Sequence, residues 1–200
     1  MKESLMAILR SKHTDTAHFR RAAEKMTHLL AQEASTFLKK KTVAITTPLQ
    51  KTTSKIIDQD VVLIPILRSG LAFLPTFLYY FEQARVGFMG LKRDEKTAIA
   101  HEYYRNIPQV KKNSAVIILD PMIATGGSAV ATINALKKSG VSLSQIIFVG
   151  LIAAPEGIQY LKRRFPALKL VVGVVDKSLN KKKYILPGLG DFGDRYFGTL

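Results

Sequence analysis

From Ala17 to Leu38 the residues Phe19, Ala22, Met26, Leu29, Leu30, Phe37 and Leu38 recur along one helical face, which predicts an amphipathic helix. Asp15 or Thr16 stands where its N-cap is needed. The pattern then changes. Val61–Ile66, Ala115–Leu119, Ile146–Ile152 and Leu168–Val175 are apolar runs too continuous for strands with one wet face. Strands of a parallel sheet covered on both faces read in this way. Leu71–Phe81, Ser128–Lys138 and Glu156–Phe165 fall between them as helical candidates. This alternation predicts an α/β fold, a doubly wound and mostly parallel sheet, with an N-terminal helical segment before it. Lys92–Pro108 is polar and lies between a strand ending near Leu91 and the strand at Ala115, so it is expected to be a long loop. With no repeat or linker in view, residues 1–200 are expected to form a single domain.

Composition narrows the function classes. At 200 residues and 47% hydrophobic, the chain can bury a sizeable core. The absence of cysteine excludes disulfides, thiolate catalysis and Cys-ligated metal, and accords with a cytoplasmic location. His13, His18, His28 and His101 show no metal-ligand spacing. Val61–Phe81 is apolar enough to raise a membrane span, but Arg68 lies near its middle and Pro65, Gly70 and Pro75 interrupt it. A buried strand, a turn and a buried helix suit it better, so no membrane partner is expected. The N-terminus lacks the apolar stretch of a secretory signal. The net charge of +15 favours anionic partners. Its lysines and arginines are scattered in small clusters near element ends, which reads as a solvated surface and not as a specific nucleic-acid site.

Four segments carry candidate chemistry. In Asp120-Pro-Met-Ile-Ala-Thr-Gly-Gly-Ser128 a buried strand ends in a carboxylate, and a turn of small and hydroxyl residues leads into a helix. Glycines there allow close backbone approach, and free N–H groups at the helix start make a phosphate cradle. It lies at the carboxyl end of a strand, where open α/β sheets bind ligands. Without GKS or GKT it is not a nucleoside-triphosphate P-loop. Arg68, after the strand in Pro65-Ile-Leu-Arg68-Ser-Gly70, is placed for phosphate contact. Lys92-Arg93-Asp94-Glu95 through Tyr103-Tyr104 combines basic and aromatic residues suited to a lid over a polyanion. The tail contains a literal G-x-G-x-x-G at Gly188, Gly190 and Gly193, but it follows a proline and opens no adequate helix. A glycine-rich loop presenting backbone groups to a planar ligand fits that tail better than a dinucleotide site.

These segments, with Pro187-Gly-Leu-Gly-Asp-Phe-Gly-Asp-Arg195, occur in the order of the signature segments of uracil phosphoribosyltransferases, which the chain resembles over almost its whole length. The resemblance implies transfer of a phosphoribosyl group from phosphoribosyl pyrophosphate (PRPP) to uracil, giving UMP and pyrophosphate in pyrimidine salvage. It also implies a phosphoribosyltransferase-type sheet with a C-terminal base-binding hood. By that likeness Arg68, Arg93, Asp191 and the loop Asp120, Pro121, Met122, Ile123, Ala124, Thr125, Gly126, Gly127 and Ser128 bind PRPP. Ile185, Gly190, Asp191 and Phe192 read uracil, and Asp191 and Arg93 are the catalytic candidates. Mg2+ is implied as cofactor, held by PRPP oxygens and water, with no protein metal site. A homo-oligomer, dimer or tetramer, is implied too. GTP is an effector in some members, though these motifs do not specify it. The chain departs from the family at three positions: Phe192 where bacterial relatives often carry Ala, Ser69 for a common Ala, and Lys177 where an acid is usual.

Overall fold

The computed structural model describes residues 1–93 and 100–199. Two helices open the chain, α1 (Lys2–Arg10) and α2 (Thr16–Ser35). Asp15 starts α2, its carboxylate accepting the His18 backbone N–H at 2.8 Å. Two strands, β1 (Lys40–Thr46) and β2 (Lys51–Ile57), then pair antiparallel as an arm exposed at every position but the half-buried Val43. The apolar pattern does not predict this arm, because neither of its faces is buried and no hydrophobic period marks it.

The central sheet has eight strands. They are β3 (Val61–Leu67), β4 (Arg85–Val86), β5 (Phe88–Arg93), β6 (Ala100–Asn106), β7 (Ala115–Leu119), β8 (Met122–Ile123), β9 (Ile146–Ala153) and β10 (Lys169–Val175). Their order is β10-β9-β7-β3-β5-β6, with β4 beside β3 and β8 beside β9. All pairs are parallel except β5 with β6. The doubly wound, mostly parallel sheet is therefore as expected. The stretch after Leu91 is not the long loop expected: β5 runs on to Arg93, and β6 returns antiparallel to it. Tyr103 and Tyr104 suit an edge strand, and pairing satisfies backbone groups that a long loop would leave to water. Asp94 and Glu95, and the side chain of Arg93, lie outside the described residues.

Strand periodicity divides the core in two. Leu63, Ile117, Leu119, Val149 and Val171 face one way, against α1, α2 and α3 (Leu74–Tyr80). Val62, Ile64, Val116, Ile118 and Phe148 face the other, against α4 (Gly127–Lys138) and α5 (Pro155–Arg164). Each fully buried aliphatic side chain adds about 1.5–3 kcal/mol of transfer free energy, which holds both helical layers to the sheet. The segment Leu71–Phe81 is not one continuous helix. A 3-10 turn covers Ser69–Ala72, and α3 restarts beyond it with Pro75 in its first turn, where the missing N–H costs nothing. The chain closes with a short hairpin, β11 (Ser178–Leu179) and β12 (Ile185–Leu186), and a last helix α6 (Phe192–Phe197).

Candidate active site

The loop between β7 and α4 forms the floor of the site. Gly126 is the N-cap of α4 with φ of 81°, a conformation glycine adopts without strain, and no side chain caps the helix. The first N–H groups of α4 are therefore offered to an anion. The nearest side-chain acceptor, Thr125 Oγ1, is 3.4 Å from the Gly127 nitrogen. The start of α5 supports the loop from behind: a Cβ on Gly157 would stand 2.3 Å from the Ala124 carbonyl oxygen. Pro121 is buried, and its carbonyl accepts the N–H groups of Leu151 and Ile152 at 2.9 and 3.0 Å. The cradle is thus fixed by backbone contacts on two sides.

A cleft of about 510 Å³ lies over this loop, at the carboxyl ends of β3 and β7. Among the sequence candidates, Arg68, Asp120, residues 122–128, Ile185, Gly190 and Asp191 line it. Pro121 and Phe192 do not. Phe192 is fully buried, packing edge-on against Phe19 and Phe73 and stacked on Tyr196. Its side chain belongs to the core, so its bulk does not narrow the cleft. Lys92, Lys183, Tyr184 and Asp194 also line the cleft; of these, sequence reasoning assigned a role to Lys92 alone, as part of the expected lid segment. Tyr184 and Asp194 sit inside or beside the recognised motifs, which could have flagged them. Lys183 carried no such signal.

The charges in the cleft are arranged unevenly. Arg68 is exposed and pairs with Asp194 at 3.2 Å. An exposed pair of this kind contributes little to stability, so Arg68 can exchange its partner for a phosphate at low cost. Burial pushes the Asp120 carboxyl up to about 7, opposed by the Met122 N–H at 3.4 Å. Part of the Asp120 surface still opens on the cleft. Near neutral pH this group can therefore accept or donate a hydrogen bond. Asp191 is exposed and caps α6, accepting the Asp194 N–H at 2.9 Å. One of its carboxylate oxygens holds the hood together while the residue faces the cleft.

Long-range contacts hold the hood in place. Arg10, at the end of α1, forms a forked pair with Asp176, one arm of it at 2.9 Å, and donates to the Gly188 carbonyl at 2.8 Å. The Gly188 N–H returns to Asp176 at 2.8 Å. The Asp176 carboxyl is held below the usual range by Arg10 and the Gly188 N–H, despite the opposing effect of burial. Arg195 lies over the Phe19 ring at 4.4 Å from its centroid. Its guanidinium donates to the carbonyls of Leu9, Leu189 and Ser11, the last two at 2.7 and 2.6 Å.

The family described as uracil phosphoribosyltransferase matches residues 1–199. A uracil phosphoribosyltransferase of Campylobacter fetus is 39% identical over 198 residues, covering 99% of this chain and 94% of its own. One from Thermosipho melanesiensis is 43% identical over 195 residues, covering 97% and 93%. The AQ2163 protein of Aquifex aeolicus superposes with a TM-score of 0.88 at 34% identity, covering 98% of this chain and 93% of that one. A hypoxanthine-guanine phosphoribosyltransferase from Bacillus anthracis has a TM-score of 0.52 at 13% identity over 80% of each chain, a likeness of fold alone.

Proposed function

The chain belongs to the uracil phosphoribosyltransferase family, and on that premise we propose that its cleft binds PRPP and uracil and joins them as UMP. The observation that carries this reading is the union in one cleft of an uncapped phosphate cradle, Asp120 and the glycine-rich hood. Residues 124–128 hold the 5′-phosphate through backbone N–H groups and the hydroxyls of Thr125 and Ser128. Asp120, ionised above about pH 7, accepts from the ribose hydroxyls. Arg68 leaves Asp194 for the pyrophosphate. Arg93, whose backbone ends β5 next to the cleft-lining Lys92, joins it there. Ile185, Gly190 and the Phe192 backbone present the hood's polar groups to the uracil edge.

In the reaction the uracil N1–C1′ bond forms and the bond from C1′ to the pyrophosphate oxygen breaks. The N1 proton leaves to the Asp191 carboxylate or through it to water. The protein contributes position and charge stabilisation of the departing pyrophosphate. No group of three or more His, Cys, Asp or Glu suited to a metal is present among the described residues. Among the described residues the cleft carboxylates Asp120, Asp191 and Asp194 are hard oxygen groups that suit the water shell of a Mg2+ carried by PRPP. When bound, that ion neutralises pyrophosphate charge.

An assay with labelled uracil, cytosine, hypoxanthine and orotate, each with PRPP, tests the reading. Uracil alone should give product, and excess chelator should abolish it. Preference for a purine or orotate overturns it. The finer expectations have their own support. No helix among the described residues is long and apolar enough to cross a membrane, and the cysteine-free chain suits the cytoplasm. A lone two-stranded arm is marginal in water, and this one exposes Ile45, Ile56 and Ile57, which supports a homo-oligomer. Sedimentation reads that state, and titrating GTP into the assay reads effector control.

A further inference from the structure

Residues 180–184 join β11 to β12. The Asn180 N–H donates to the Tyr184 carbonyl at 2.9 Å, the Lys183 N–H to the Asn180 carbonyl at 2.9 Å, and the Tyr184 N–H to Asn180 Oδ1 at 3.0 Å. Lys183, with φ of 64°, is the one non-glycine residue with positive φ among the described residues. Glycine is the residue such a turn position favours, so Lys183 holds a backbone conformation that its own side chain disfavours. Residues held in that way often cluster at ligand sites.

The location of Lys183 gives the preference a meaning. Lys181, Lys182 and Lys183 are consecutive and exposed, yet only Lys183 lines the cleft. Its charge reaches Glu156, whose carboxyl is held low first by the N–H of Leu179, then by its own, and also by Lys183. Glu156 opens α5 beside Gly157, and the Gly157 carbonyl oxygen lies 3.3 Å from where a Cβ on Gly126 would stand. Lys183 and the cradle are thus neighbours of the same helix start. Among the described residues no carboxylate lies within 4.0 Å of the Lys183 ammonium.

We propose that Lys183 is a further substrate-binding residue, whose ammonium contacts the 5′-phosphate common to PRPP and UMP. The proposal rests on the reaction assigned above and adds to it a side-chain cation that no recognised motif supplied. The cradle itself offers an anion only N–H groups and hydroxyls, so a flexible point charge from the hood completes it. The contact also ties the hood to the phosphate loop when a nucleotide is bound. Because the 5′-phosphate does not change during the reaction, this contact stabilises substrate, transition state and product alike. It sets the affinity for PRPP and UMP and leaves turnover almost untouched, or faster where product release limits it.

The test uses the full chain with Lys183→Gly and Lys183→Arg. Glycine removes the charge and relaxes φ, so its melting temperature should equal or exceed that of wild type. Lys183→Gly should weaken UMP binding and raise the PRPP KM about tenfold each, the scale of one charge-assisted contact, with kcat held within about twofold. Lys183→Arg should recover most of the loss. Uridine, which lacks the phosphate, should bind wild type and Lys183→Gly equally. Unchanged UMP affinity, an equal loss for uridine, or a loss confined to pyrophosphate inhibition would each overturn the role. Failure of the wild type to make UMP from uracil and PRPP would instead overturn the assigned reaction.

Discussion

The two halves of the cleft are built on different principles. The phosphate loop is local: within nine residues, Asp120 to Ser128, a strand ends, a turn forms and a helix begins. Its shape is set by backbone contacts with β9 and α5 immediately behind it. The hood is not local. Arg10 reaches Asp176 across 166 positions of sequence, and Arg195 reaches the carbonyl of Leu9 across 186. The half proposed to bind the group unchanged in the reaction is self-supporting. The half proposed to position the base is tied to the N-terminal helices. Disturbing α1 should therefore affect uracil before PRPP.

The sharpest way to break this contrast is Arg10→Met. The Asp176 side chain is 3% exposed, and losing its partner leaves a buried carboxylate held only by the Gly188 N–H. The expected cost is about 3 kcal/mol of stability, read by denaturant titration, with a larger rise in KM for uracil than for PRPP. Equal rises would mean that the two halves are not independently held.

Asp191→Asn separates the hood's architecture from its charge. Asparagine caps a helix about as well as aspartate, so α6 should persist and the melting temperature should barely move. Turnover should fall by roughly a hundredfold, the range for a lost acid–base or electrostatic group. Near-normal turnover in a normally melting variant would leave Asp191 with the cap alone.

On the rigid side, Asp120 makes pH the probe. Its carboxyl is raised to about 7 by burial, so the folded chain holds a proton that the unfolded chain releases at lower pH. The stability it lends is full below the ordinary carboxylate range and is lost as pH rises through about 7. Asp120→Asn should flatten that slope in a series of melts of the free protein. In wild type the PRPP KM should fall by roughly tenfold to a hundredfold as the carboxylate ionises through the same range, the scale of one hydrogen bond to a charged group. A KM that tracks pH equally in Asp120→Asn would assign the titration elsewhere.

The smallest effect is expected from Thr125→Val. Its hydroxyl is one donor among several N–H groups of a preformed cradle. PRPP binding should weaken by roughly fivefold to tenfold, with kcat and melting almost unchanged, as for one neutral hydrogen bond. A drop in kcat without a change in KM would show that the cradle acts mainly in the transition state.

The sequence by itself determined the parallel centre of the sheet and the phosphate loop. Short continuous apolar runs such as Ala115–Leu119, alternating with helical stretches, fit strands covered on both faces, and the glycine pair after Thr125 encodes its turn within a few residues. The tail's residues were legible as a motif, and the family resemblance gave them a ligand, but not their side-chain directions. Phe192 turns into the core because Phe19 and Phe73, far away in the chain, offer it an apolar pocket. The arm β1–β2 and the strand β6 carry little hydrophobic period, since their stability comes from pairing more than from burial. Tertiary structure alone brought Arg10 to Asp176 and turned Lys183, rather than its neighbours, into the cleft. Local patterns report which face of an element is dry. Which distant charges meet is decided only when the layers pack, because ion pairs and backbone carbonyls leave no periodic trace in the chain.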